Sequence, residues 1–170
     1  MPARLLAIAA LAAGLTVAGY AAAFGINAHH DRARLESELA GLGRGVYSPQ
    51  KVVYHVDYGS GWRGRAYEEL LSALDNHVKA VGADKMSLVV MLQGSGADLL
   101  VSAKSTPRLA QRIDALRRQG VRFLVCRNTL LGRLIDPFSD LYGVTERDIA
   151  TAAVAELVAL QQEGYLYLHL

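Results

Sequence analysis

The chain has 170 residues, a formal net charge of +2 and a 52% share of hydrophobic residues. That length supports one core-bearing domain of ordinary size and leaves no room for two. The near-balance of charge excludes a globally basic nucleic-acid binder, and a lone cysteine, Cys126, excludes both an internal disulfide and a C-x-x-C redox pair.

At the amino end, Arg4 supplies a positive flank, Leu5 to Ile26 carries no charge, and Ala21-Ala22-Ala23 resembles a small-residue cleavage site. Residues 1–23 therefore read as a secretory signal peptide cleaved after Ala23. The same run is long enough to span a bilayer, so an uncleaved membrane anchor is the alternative. Either way the expected location is periplasmic or otherwise exported, with membrane contact only through this segment. Residues 24–50 read as a linker: a short helix over Arg32–Leu42, then Gly43, Gly45 and Pro49. His29-His30 lies in this tether with no third ligand in view, so no metal site is expected.

The folded domain is expected over 51–170. Lys51–Val56 is a first strand, followed by a glycine-rich loop from Asp57 to Gly64 that holds Tyr58 and the only tryptophan, Trp62. Tyr67, Leu70, Leu71, Leu74, Val78 and Val81 share one face at helical spacing, which predicts a helix over Gly64–Val81 ended by Gly82. Met86–Leu92 is apolar throughout, the pattern of a strand buried on both faces of a parallel sheet. Gly94-Ser95-Gly96 then turns into a helix from Ala97 to about Lys104. A dinucleotide fingerprint would need glycine at position 99, which is Leu99. No cofactor motif is complete, and none is expected; the glycine turn at Gly94 and Gly96 retains only the generic capacity of a helix start to hold an anion. Thr106-Pro107 predicts a helix start, with Thr106 as N-cap and an inward stripe of Leu109, Ile113 and Leu116.

Val121–Cys126 predicts a buried strand, and Asn128 and Thr129 can cap the short helix that follows. Cys126 thus falls where a strand's carboxyl end meets a helix's amino end, the rim on which open parallel sheets collect their chemistry. The partial positive charge of the helix start, with Arg127 and Arg133 nearby, would favour the thiolate. Against this stands the fact that unpaired cysteines are among the most buried residues. His55 and Asp57 would approach the same rim if their strands neighboured that of Cys126, giving a Cys–His pair with Asp57 orienting the imidazole; Tyr58 would line the pocket. From Lys104 to Arg133 eight basic residues face one acid, Asp114. A solvated helix face or an anionic partner explains such a run; no aromatics interleave with it, so nucleic acid is not expected. Thr145–Asp148 has the form of a capping box, Ala155–Glu163 a helix, and Tyr165–Leu170 a last strand. Alternating strands and helices predict a parallel sheet covered on both faces.

Five stretches in order resemble the DsrE/DsrF-like proteins, whose best-known members act in sulfur relay. They are Lys51–Val56, Asn76–Ala83, Leu92–Leu100, Gly120–Leu130 and Val154–Tyr167. The resemblance implies a flavodoxin-like, three-layer α/β/α sandwich with a mainly parallel sheet of about five strands, assembled as a homo-oligomer. It also implies a strand-end cysteine that carries sulfur as a persulfide between donor and acceptor proteins, mapping onto Cys126 through F-L-V-C-x-N-T-L. Arg127, Asn128 and Thr129 would then hold the anion. Small exported relatives often show I-V-P-S-G-V-A-E-L before the last helix; here Ile149–Leu157 reads I-A-T-A-A-V-A-E-L, and the lost turn makes Ile149–Thr151 a short strand. A non-catalytic, oligomeric binding domain of the same fold is the alternative.

Overall fold

The computed structural model describes residues 32–43 and 45–170. The chain divides into two units, Met1–Gly45 and Val46–Leu170. The expected signal segment and His29-His30 lie outside the described residues. Among the described residues of the first unit, the helix α1 (Arg32–Leu39) is exposed along its length and carries the i,i+4 pairs Arg32–Glu36 and Arg34–Glu38. No helix among the described residues is long and apolar enough to cross a membrane.

The second unit is a five-stranded sheet in the order β4-β3-β2-β1-β5, with every pairing parallel. Its strands are β1 (Gln50–Val56), β2 (Met86–Leu92), β3 (Arg122–Cys126), β4 (Ile149–Ala150) and β5 (Leu166–His169). The helices are α2 (Arg65–Val81), α3 (Asp98–Ser105), α4 (Pro107–Arg118), α5 (Arg127–Arg133) and α6 (Ala153–Gln162). β2 is the central strand, and Leu88 to Leu92 are all buried, as a strand covered on both faces must be.

Strand alternation divides the core. Val52, Tyr54, Val56, Leu88, Val90, Leu92, Phe123 and Val125 pack on one side against α2, α3 and α4. Val53, Val89, Met91, Leu124 and Cys126 pack on the other, against Ala153, Leu157 and Leu160 of α6. The helical stripe of α2 is buried residue for residue as its spacing predicts, and Gly82, at φ 98°, closes the helix. Thr145 and Asp148 form the capping box, around a single 3-10 turn.

Two local readings need correction. Thr106 occupies the N-cap of α4, but its hydroxyl makes no capping bond; its carbonyl accepts from Leu109 and Ala110 instead. The last helix begins at Ala153 rather than Ala155. That difference of half a turn decides the surroundings of Cys126.

Candidate functional site

Cys126 ends β3 and is itself the N-cap of α5, with extended backbone at φ −71° and ψ 119°. Asn128 and Thr129 are therefore not caps but first-turn residues, and their backbone N–H groups point back at the sulfur. β4 pairs beside this strand end, Ala150 lying against Cys126. The chain then turns at once into α6, whose first residue, Ala153, donates its N–H to Sγ at 3.3 Å. Two helix amino ends thus meet on one sulfur.

The hydroxyl of Thr129 completes the set. It accepts from Gly94 N–H at 2.9 Å and donates its own proton to the sulfur of Cys126. A hydroxyl that is already an acceptor is well placed to donate, because its rotor is fixed and the chain of bonds is polarised.

Burial, which leaves Cys126 only 3% exposed, pushes the thiol up. Hydrogen bonds from Thr129 N–H, Ala153 N–H, the Thr129 hydroxyl and Asn128 N–H outweigh it, and the thiol lies below its ordinary value. Hydrogen bonds made to a charged form favour that form. The helix start contributes as expected, but the two arginines do not. Arg127 is exposed to solvent, and Arg133 binds Gly94 O at 2.8 Å and Asp98 at 2.7 Å instead of facing the sulfur.

Most of the basic run is likewise occupied. Arg108 and Arg112 pair with Glu68, Arg117 with Asp114 and the Tyr142 carbonyl, and Lys104 with the Ser139 carbonyl. The run is a set of internal ties more than an open cationic surface.

The expected Cys–His pair does not form. β2 lies between β1 and β3, and His55 is in register with Met91 and Leu124, two residues short of Cys126. Strand spacings put the two Cα atoms about 12 Å apart. Both ring nitrogens of His55 are engaged, Nδ1 by Tyr167 Oη at 2.9 Å and Nε2 by Gln93 Oε1 at 3.0 Å. Because an amide oxygen only accepts, Nε2 carries a proton toward Gln93. Asp57 does not orient His55. It takes His169 Nε2 at 3.0 Å, a bond that holds its carboxyl below the usual range.

Tyr58 lies away from the sulfur, lining a mainly apolar cavity of about 320 Å³ with Ala66, Leu70, Ala73, Glu69 and Leu170. Gly96 is glycine for packing. A Cβ there would collide with the Val56 carbonyl, 2.7 Å from its carbon. Gly94 adopts φ 53° and so delivers its N–H to Thr129. Among the described residues, no three His, Cys, Asp or Glu side chains are grouped so as to hold a metal. Sequence reading missed Ala153, since a backbone donor carries no residue signal.

Fold and site together define a parallel α/β protein whose one cysteine is held at a strand end by the starts of two helices. A family model described as the DsrE/DsrF-like family matches residues 50–170. The chain belongs to that family. Among solved structures it is similar to a protein of unknown function, MTH1491, from Methanobacterium thermoautotrophicum. The likeness has 26% identity and a TM-score of 0.59, and covers 71% of this chain and 99% of that one. No curated protein matches.

Proposed function

We propose that this chain carries sulfane sulfur on Cys126 as a persulfide, within the sulfur-relay chemistry to which the DsrE/DsrF-like family is linked. What supports the reading is the convergence of four donors on one sulfur. Such a site favours the thiolate, the reactive form. The thiolate attacks the outer sulfur of a donor persulfide, R–S–S–H. The donor S–S bond breaks, a new one forms on Cys126, and the R–S⁻ that leaves takes the proton. Delivery repeats the exchange: an acceptor thiolate takes the outer sulfur, and Cys126 returns to its thiolate. No net redox change occurs in either step. Arg127, exposed beside the helix start, offers a cation to an incoming anionic donor. The uncharged stretch from Leu5 to Ile26 supports work outside the cytoplasm.

The 3% exposure of Cys126 favours a second reading, a binding domain in which the residue only packs. The test is the pH dependence of Cys126 alkylation in the folded chain, followed by intact mass after polysulfide treatment. A midpoint well below about 8.5, with a gain of one sulfur that is lost in Cys126→Ser, supports the carrier. A folded protein that neither alkylates nor takes up sulfur refutes it and leaves the packing reading.

A further inference from the structure

β5 closes one edge of the sheet and is exposed at every residue. Its sequence, continued by one residue, reads Leu166-Tyr167-Leu168-His169-Leu170. Register with β1 sets Leu166 and Leu168 on the side of Val52 and Tyr54, and Tyr167 and His169 on the side of Val53 and His55. The leucines therefore form a ladder on one face, at 66%, 39% and 50% exposure for Leu166, Leu168 and Leu170. The ladder continues into the apolar cavity that Leu170 shares with Tyr58, Leu70 and Ala73.

An edge strand presents a row of unpaired backbone groups, and proteins that stay single blunt it with lysine, proline, a bulge or an inward charge. β5 contains none of the four; its one imidazole, His169, is tied back to Asp57. The strand is also its own complement. In antiparallel pairing, directly opposed residues share a face, so a two-fold axis through Leu168 sets leucine against leucine, Leu166 opposite the other copy's Leu170 and beside the cavity. Tyr167 and His169 meet each other on the reverse face. A parallel guest strand could not be a two-fold copy, and a charged or polar guest would leave the ladder in water.

We propose that β5 is an association edge, through which two copies of this chain join antiparallel into one ten-stranded sheet. A contact built on one four-residue strand is smaller than the roughly 800 Å² per partner of a standard stable interface, so association is expected to depend on concentration. The proposal does not rest on the sulfur chemistry. The test is sedimentation of the full chain over a concentration series, beside Leu166→Lys, with amide hydrogen exchange of 166–169 read at the same concentrations. Leu166 is mostly exposed, so its replacement leaves the core intact; Leu168→Lys is the second variant. The expected result is a monomer–dimer equilibrium weakened more than about tenfold by either lysine, with exchange at β5 slowing as concentration rises. A single monomeric mass throughout overturns the proposal. So does an assembly that keeps its affinity in both variants, or one in which β5 exchange ignores concentration.

Discussion

Replacing Thr129 with valine removes the hydroxyl that donates to Cys126 while keeping the shape of the side chain and the backbone N–H. A hydrogen bond to a charged group contributes about 1.5–3 kcal/mol, and each 1.36 kcal/mol moves a midpoint by one pH unit. The thiol midpoint of Thr129→Val is therefore expected to rise by about one to two pH units, while Thr129→Ser, which retains the hydroxyl, stays near wild type. The substitution also strands the Gly94 N–H, which donates to Thr129 at 2.9 Å, at a cost of about 1–3 kcal/mol of stability. The assay is the alkylation rate against pH, with circular dichroism confirming that both variants remain folded. A folded Thr129→Val with an unmoved midpoint would refute the assignment of the thiolate to these donors.

His55→Ala should leave that midpoint unchanged, because the imidazole bonds to Tyr167 and Gln93 and not to the sulfur; a rise would restore the Cys–His pair. Gly96→Ala should lower stability in urea by roughly 3 kcal/mol, since the added methyl meets the Val56 backbone; a neutral result would show that the turn slides freely. The depressed thiol also links folding to pH. Between its folded midpoint and the unfolded value near 8.5, the unfolded chain holds the extra proton, so stability rises with pH there and levels off above. The stability gap between wild type and Cys126→Ser should widen across that window and shrink as pH falls through the folded midpoint. A gap that is flat with pH in denaturant titrations contradicts a stabilised thiolate.

The layers of this fold were legible because hydrophobic spacing reports burial directly. The six inward residues of α2 and the uniformly apolar β2 could be placed before any coordinates. Cys126 at the rim was legible for the same reason, since strand and helix patterns abut there. Which strands neighbour each other was not. Alternation sets a residue's face but not the lateral order, so His55 could be assigned to the correct rim and still lie two strands from the sulfur. The true donors were only partly legible because three of the four are backbone N–H groups, at Thr129, Ala153 and Asn128, and the aim of the Ala153 group depends on where α6 starts. Arginine, by contrast, is conspicuous in a sequence. Arg133 drew attention that its ties to Asp98 and Gly94 do not justify.

The sulfur is held by amides and a hydroxyl, groups that carry no net charge and do not titrate near neutrality. Dissolved ions screen a thiolate–guanidinium pair at the surface within about 10 Å at 0.1 M salt, but they have little purchase on buried dipoles a bond-length away. Toward an uncharged reagent, the reactivity of Cys126 should therefore hold steady from dilute buffer to strong brine. A site of this kind is buffered against changes in the ionic composition around it.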